Sequence, residues 1–279
     1  MSYVIIMDSC GERTEQMKQD ERIVSAPLTL EVDEYRFVDD ETFDQLDFIK
    51  KVAESPNCPR SACPSPETYR RAFERDVDHA YAVTLSAELS GSCNSAVLAK
   101  QMVQEEHPDK KIHVFNSRSA SIGETLITLK IQEYEEMGLP FEEIVEKVEK
   151  YIDSQTTYFV LESLETLRKN GRLSNLKAFV ATALKIKPVM CSTPAGAIMQ
   201  LDQARGLNRA LMKMANYAAR DAVNPAQKIL AVSHVNCPER GKMVAEAIRD
   251  LIPLRDVIVL NAAGCSTMYA NDGGIIVVL

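Results

Sequence analysis

Four serines lie close together directly after the apolar run at residues 80–85: Ser86, Ser90, Ser92 and Ser95. The run is typical of a buried strand, and residues 93–106 are expected to form a helix whose N-terminus presents free backbone N–H groups. Hydroxyls and N–H groups together bind anions. Because this loop contains no Lys, Arg or His, a singly charged carboxylate fits it better than a polyphosphate. The alternative is a structural loop in which Gly91 permits the turn and Ser92 caps the helix.

Small polar side chains also follow the other predicted strands. Asp8 and Ser9 follow the first strand, residues 116–119 follow another, and Ser61 lies in a loop at residues 60–66 that should lead into a helix. In an open parallel sheet these strand ends meet along one edge, where ligands bind. No His occurs at any of these ends. The sequence therefore predicts a binding edge without a general base, which disfavours proton-transfer catalysis.

The elements that position this edge follow from hydrophobic periodicity. In the first half, short apolar runs alternate with helical patterns, as in a parallel sheet covered by helices on both faces. The predicted strands are residues 3–7, 80–85 and 112–115. The predicted helices are residues 42–54, 66–77, 93–106, 119–137 and 140–152.

The second half begins near residue 156, and its predicted helices and strands follow one another in a different order. Its predicted helices are residues 161–169, 175–184, 207–220 and 239–251. Its predicted strands are residues 186–191, 229–233, 257–260 and 275–279, with a hairpin turn at residues 194–196. Because no long flexible linker separates the halves, we expect two closely packed α/β domains, at residues 1–154 and 155–279.

Composition narrows the class of protein. Of the 279 residues, 46% are hydrophobic and 26% charged, as in folded soluble proteins, and the net charge of -8 disfavours a general nucleic-acid binder. No apolar run approaches the ~20 residues of a membrane span, so stable membrane insertion is not expected. The N-terminus lacks a basic region before its apolar run, and the seven scattered cysteines fit reduced thiols, which predicts a cytoplasmic location. Cys58 and Cys63 lack a second Cys or His pair, so no metal is expected, and no cofactor is predicted.

A series of short motifs, in one order along nearly the whole chain, resembles the DegV family of bacterial fatty-acid-binding proteins. Each motif alone is weak, and their order makes the resemblance specific. They are Asp8-Ser9, residues 60–65 for the family's Thr-Ser-x-Pro-Ser, Leu89-Ser90-Gly91-Ser92 for Leu-Ser-Gly-Thr, Asn116-Ser117 for Asp-Ser, residues 169–174 for Lys-Gly-Gly-Arg-Ile-Ser, Ile186-Lys187-Pro188, and Arg205-Gly206.

The resemblance implies a fold and a function. It implies two α/β domains with a tunnel for an acyl chain between them, and a carboxylate held by hydroxyls at the edge of the first sheet. Proteins of this kind resemble binding subunits that present a long-chain fatty acid to a separate kinase, which phosphorylates the carboxyl group. On this basis the chain is expected to be a carrier and not an enzyme.

The resemblance also assigns residues. Ser61 takes the place of the family's head-group threonine. The second head-group hydroxyl lies within residues 90–95, so that Ser90, Ser92 and Ser95 are all candidates, and Ser9 is a further candidate at the first strand end. Arg172, with its neighbours Arg168 and Lys169, is expected on the surface that meets the kinase.

Two departures from the family pattern bear on the ligand. Ser61-Ala62 stands where the family has Thr-Ser, so one hydroxyl is lost and another lacks its methyl group. Tyr269 stands in place of the family's histidine, which it can replace only as a neutral hydroxyl donor, and Asp272 brings a negative charge nearby.

Two other classes of protein fit the same binding edge. One is an enzyme that acts on a small carboxylate or a phosphorylated sugar and uses Cys93 or Asp8. The other is a sugar-binding or regulatory module with a distantly related α/β domain.

Overall fold

A computed structural model describes residues 1–173 and 186–279. The described strands are β1 (Tyr3–Asp8), β2 (Ile23–Ala26), β3 (Thr29–Val32), β4 (Tyr35–Val38), β5 (Arg60–Ala62), β6 (His79–Thr84), β7 (Lys111–Asn116), β8 (Thr157–Val160), β9 (Ile186–Ser192), β10 (Ile198–Arg205), β11 (Ile229–His234), β12 (Asp256–Asn261) and β13 (Ile275–Val278). The described α-helices are α1 (Glu15–Gln19), α2 (Gln45–Glu54), α3 (Pro66–Phe73), α4 (Ser92–Glu106), α5 (Ile122–Glu136), α6 (Phe141–Asp153), α7 (Glu165–Lys169), α8 (Leu207–Asp221), α9 (Pro238–Arg249) and α10 (Gly264–Ala270). The helix predicted at residues 175–184 lies outside the described residues.

The first half contains the parallel sheet that the sequence predicts. Its strand order is β2-β1-β6-β7, and each neighbouring pair is parallel. β1 and β6 are buried along their whole length because helices cover both faces of the sheet. Helices α3 and α4 pack on one face, and α5 and α6 pack on the other.

Helix α6 forms where the apolar spacing of this half is strongest. In α6, Ile144, Val148 and Ile152 recur every fourth residue and make one buried stripe. The start of α4 differs from the prediction, since Gly91 occupies the N-cap position and Ser92 is already the first helical residue. The prediction that Ser92 caps this helix is therefore wrong.

A three-stranded antiparallel sheet, ordered β4-β3-β5, was not predicted from the sequence. Residues 60–62 belong to this sheet, so the expected loop is in part a strand. Leu30 on β3 lies opposite Ser61 on β5. Phe48 of α2 packs with Leu30 in the core beneath the sheet. Strands this short leave no readable alternation in the sequence.

The second half forms a mixed sheet with strand order β10-β9-β8-β13-β11-β12, in which β11 and β12 are the parallel pair. The predicted hairpin turn between β9 and β10 is confirmed. Strand β8 was not predicted, and the helix predicted at residues 161–169 begins only at Glu165. Tyr158 and Val160 of β8 face α8 and α9, whereas Phe159 faces the opposite side.

The two halves are packed tightly on each other. Every strand of the first two sheets precedes residue 117, and every strand of the mixed sheet follows residue 156. Helix α5 nevertheless packs Ile122 and Leu126 against Ala231 and Val278 of the mixed sheet. The expected boundary at residues 154/155 stays a prediction. None of the described helices is long and apolar enough to cross a membrane.

Candidate ligand-binding site

A narrow cavity lies between the two halves of the molecule. The volume of the cavity, including its opening, is about 720 Å³. The first half contributes residues that follow its strands, namely Cys10, Leu85, Leu89 and residues 119–121. The second half contributes β8, the turn between β9 and β10, and α10. This shape suits a slender ligand.

Strand β8 forms one long wall of the cavity. Thr157, Phe159 and Leu161 line it, and they point the same way because side chains alternate along an extended chain. At about 3.3 Å per residue, the wall from Thr157 to Leu161 extends for about 13 Å.

Besides the Tyr269 phenol, five serine and threonine hydroxyls line the cavity, and each is hydrogen-bonded within the protein: Ser119, Ser121, Thr157, Ser192 and Ser266. Ser121 donates to Glu12 Oε1 at 2.8 Å, and Ser266 donates to the Cys10 carbonyl at 2.9 Å. The Ser119 and Thr157 hydroxyls bond each other at 2.5 Å. The hydroxyls are thereby satisfied away from the cavity, so its surface is apolar and favours a hydrocarbon chain over a sugar.

Two of the predicted head-group residues meet beside the cavity. Ser61 Oγ and Tyr269 OH lie 3.0 Å apart. Ser61 is half-buried on β5, and Tyr269 lies in α10 on the cavity wall. Burial raises the pKa of Tyr269, so its phenol stays neutral at pH 7. One hydroxyl of the pair donates to the other, and the remaining proton is available to a ligand.

The loop that carries the four serines, residues 86–95 and called the serine loop below, lies beside the pair of Ser61 and Tyr269. A side chain on Gly91 would come within 3.2 Å of Cys63 Sγ, two residues after Ser61. Ser90 is half-buried, and its Oγ lies 3.3 Å from Ser92 Oγ. Ser92 is fully buried, and Ser95 Oγ has only a 4.0 Å contact with Cys63 Sγ. Among the three candidates, Ser90 is thus the most exposed.

Ser9 has a structural role instead of the predicted ligand contact. Its hydroxyl donates to Asp39 Oδ2 at 2.9 Å and accepts from the Leu28 N–H at 2.9 Å. A hydroxyl has one proton to donate, and that of Ser9 is already used. Ser9 therefore has no donor left for a carboxylate.

Asp8 and Cys93, the residues of the enzyme alternative, are poorly suited to catalysis. Asp8 accepts from the backbone N–H groups of Cys10 and Leu85, at 3.1 Å and 2.9 Å, and so holds two strand-end loops. Burial raises the pKa of Asp8 to about 6. Burial also raises the pKa of Cys93, which keeps it a thiol, whereas a nucleophile needs the thiolate.

One group among the described residues brings potential metal ligands together. Asp8, Cys10 and Glu124 each offer an atom within 4.8 Å of the others. Burial raises the pKa of Glu124 well above its ordinary range, and the contact with Cys265, together with burial, does the same for Cys10. A protonated carboxyl and a protonated thiol bind metals poorly, so this group is a weak metal site.

Arg172 lines the cavity and is partly exposed, and this opening to solvent is called the cavity mouth below. Gly171, with φ of +77°, ends α7 in a Schellman motif in which the Arg172 N–H donates to the Leu167 carbonyl at 2.9 Å. The guanidinium then donates to the Leu89 carbonyl at 3.1 Å and lies 5.6 Å from the centre of the Tyr269 ring. The prediction that Arg172 lies on the surface that meets the kinase stays a prediction, and the structure places Arg172 half-buried beside Tyr269.

Arg168 and Lys169 differ from Arg172 in orientation. Both are exposed on α7, and both pair with Glu165, at 2.6 Å and 3.8 Å. Part of their positive charge is therefore neutralised locally. They are nevertheless the outward-facing members of the predicted basic group.

Comparisons with known proteins agree with the geometry. The family model described as "Uncharacterised protein, DegV family" matches residues 2–278. A DegV domain-containing protein of Streptococcus pneumoniae R6 is 36% identical over 253 residues, which cover 91% of this chain and 89% of that protein. The chain belongs to the DegV family.

Solved structures of DegV proteins have the same fold. A DegV family protein from Ruminococcus gnavus, refined with vaccenic acid, is 52% identical, with a TM-score of 0.97 and coverage of 100% of this chain and 99% of that one. The fatty acid kinase B3 protein of S. pneumoniae, loaded with linoleic acid, is 33% identical, with a TM-score of 0.88 and the same coverage. The α/β fold expected from the resemblance is confirmed.

Several residues of this DegV cavity were missed by the sequence reasoning. No element was predicted at Phe159, and Leu161 was predicted to begin a helix. The reason is that residues 157–161 are nearly all apolar and show no alternation. Cys265 and Ser266 belong to α10, a helix too short for its periodicity to be visible. A small-residue start, Ala263-Gly264, was the one local signal of the close packing there.

Proposed function

We propose that this DegV protein binds a long-chain fatty acid and presents it to a separate fatty-acid kinase. In this proposal the acyl chain occupies the apolar cavity between the halves, and the carboxylate lies beside Ser61 and Tyr269. The observation that carries it is that the wall of an apolar cavity includes Tyr269, whose hydroxyl lies 3.0 Å from that of Ser61. The relatives that carry vaccenic and linoleic acid, at 52% and 33% identity, support the same ligand class.

The tail supplies most of the affinity. A sixteen-carbon chain buries roughly fifteen methylenes at ~0.8 kcal/mol each, or about 12 kcal/mol before ordering costs of several kcal/mol. Each hydrogen bond to a carboxylate adds roughly 1.5 to 3 kcal/mol. Tail burial therefore sets affinity, and the hydroxyls set which end of the ligand faces the mouth.

The head group meets one spare hydroxyl proton and one positive charge. Ser61 and Tyr269 together offer the proton, and Ser90 is the least buried of the three candidate serines at residues 90–95. Arg172 brings a guanidinium to the same mouth, where partial burial strengthens its attraction for a carboxylate. These contacts compensate for the missing histidine.

Presentation to a kinase rests on the family resemblance and on the S. pneumoniae relative, which is a fatty acid kinase B3 protein. A ligand whose carboxyl group lies at the cavity mouth is oriented for a partner that acts on that group. The exposed residues Arg168 and Lys169 lie on α7, just before the turn that carries Arg172 to the mouth, so they are placed to contact such a partner.

Titration of lipid-free protein tests the binding step. Palmitate or oleate should bind saturably at one per chain, hexadecanol should bind more weakly because it lacks the carboxylate, and a phosphorylated sugar should not bind. Saturable binding of the sugar without binding of either fatty acid would instead support the sugar-binding alternative.

A further inference from the structure

Asp39 is a buried carboxylate that lies directly after β4 and is only 4% exposed. Asp39 accepts three hydrogen bonds, from the Gly264 N–H at 2.7 Å, the Cys265 N–H at 2.8 Å and the Ser9 hydroxyl at 2.9 Å. Two of these donors are the first N–H groups of α10, which have no partner within a helix. The first half of the chain thus holds the start of a helix that belongs to the second half.

Helix α10 carries part of the cavity wall, including Tyr269. Tyr269 lies five residues after Gly264, about 7.5 Å along the helix axis. Two further contacts join α10 to the first half: Ser266 donates to the Cys10 carbonyl at 2.9 Å, and Gln45 donates to Thr267 Oγ1 at 2.8 Å. The position of Tyr269 therefore depends on how α10 seats on the first half.

Ser61 is also held by the first half of the chain. It pairs with Leu30 across β5 and β3. A Cβ on Gly264 would lie 2.6 Å from Asp39 Oδ1 and 2.9 Å from Leu30 Cδ1, so only glycine allows the helix to approach this closely. The sheet that carries Ser61 and the helix that carries Tyr269 are held together at Asp39 and Gly264.

We propose that Asp39 is a positioning residue for the head-group site: by binding the first N–H groups of α10, it sets the distance between Tyr269 OH and Ser61 Oγ. The inference rests on the proposed function, because it assigns this carboxylate a role in holding the fatty-acid head group. It also gives Ser9 a role, since the Ser9 hydroxyl orients Asp39 and acts on the ligand only through it.

The test compares an acid with an alcohol of the same chain length. Asp39→Asn replaces a charged acceptor by a weaker one, and Gly264→Ala pushes α10 away while leaving Asp39 intact. Each variant should weaken palmitate binding by about tenfold and hexadecanol binding much less, because the tail cavity is unchanged. In a Tyr269→Phe background the effect of each variant on palmitate should largely disappear.

Ser233→Ala is the matched control. Ser233 donates to the buried Glu12 at 2.9 Å and so makes another contact between the halves, without binding the start of α10. It should leave the ratio of palmitate to hexadecanol affinity unchanged. Thermal unfolding checks that each variant is folded. If Asp39→Asn does not fold, Ser9→Ala replaces it in the test, because it removes one hydrogen-bond donor from Asp39.

The proposal is wrong if the Asp39 and Gly264 variants weaken palmitate and hexadecanol binding equally, or if they leave palmitate binding unaffected. It is also wrong if their losses of palmitate affinity add to the loss caused by Tyr269→Phe. These outcomes leave the proposed function intact. Failure of the parent protein to bind any fatty acid would instead remove the proposed function itself.

Discussion

Ser61 Oγ and Tyr269 OH lie 3.0 Å apart although 208 positions separate the two residues in the sequence. The contact joins the small sheet of the first half to a short helix of the second half, and Tyr269 lies on the wall of an apolar cavity. The fatty-acid proposal depends on this pair, because the cavity walls otherwise offer few free polar groups.

Replacing Ser61 by Ala should weaken fatty-acid binding by roughly 10-fold to 150-fold, because truncation removes one of the two hydroxyls beside which the carboxylate is proposed to lie. Ser90→Ala should weaken it similarly if the serine loop completes the site. Titration with palmitate measures the loss, and hexadecanol is the control. Unchanged palmitate affinity in the Ser61 and Ser90 variants and in their double variant would show that the head group binds elsewhere.

Replacing Tyr269 by Phe should cost a comparable amount, since only the phenol hydroxyl is removed. Tyr269→His is the informative partner variant, because an imidazole N–H can donate in the same place and matches the residue usual in the family. We expect palmitate affinity to recover in Tyr269→His relative to Tyr269→Phe. Equal affinity in the parent and in Tyr269→Phe would mean that this ring only packs.

Variants at Arg172 and Arg168 should distinguish fatty-acid binding from presentation of the fatty acid to a kinase. Arg172→Ala removes a positive charge at the cavity mouth and should weaken palmitate more than hexadecanol. Arg168→Ala and Lys169→Ala should leave palmitate affinity unchanged and lower acyl-phosphate production by a fatty-acid kinase at limiting protein concentration. If the Arg168 and Lys169 variants support the parent rate, the partner surface does not include them.

Stability should fall as pH rises from about 5 to about 8. Burial raises the pKa of Glu12 from 4.5 to about 7 and that of Asp8 from 3.8 to about 6. Between its ordinary pKa and its raised pKa, each carboxyl is therefore protonated in the folded protein and ionised in the unfolded chain. The stabilisation is fully present below the pKa of the unfolded chain and is lost as the pH rises through the pKa of the folded protein. The melting temperature should be higher near pH 5.5 than near pH 8.

Glu12→Gln isolates the largest of these resolved contributions. The amide keeps an acceptor for the hydroxyls of Ser121 and Ser233 but does not titrate. The melting temperature of this variant should depend less on pH than that of the parent. A parent protein that is more stable near pH 8 than near pH 5.5 would contradict the assignment.

The sequence predicted those parts of the fold that depend on local pattern. Helix α6 was predicted almost to the residue because Ile144, Val148 and Ile152 repeat at helical spacing. Strand β5, with three residues, was missed because its partner β3 lies 30 positions earlier and no local pattern marks it. Short strands paired across such distances depend on tertiary contacts.

The site was predicted residue by residue only where the family resemblance supplied it. Ser61 and Tyr269 were named on that basis, and the structure places them in contact. Ser9 and Arg172 were also named, but the environment of each depends on distant partners, Asp39 for Ser9 and Tyr269 for Arg172. Sequence spacing carries no information about contacts of that kind.

Native mass spectrometry of the freshly purified protein, followed by solvent extraction, tests the central claim most directly. We expect close to one long-chain fatty acid per chain, released by the organic solvent and identified by its mass. An empty protein that also fails to take up added palmitate or oleate would contradict the account.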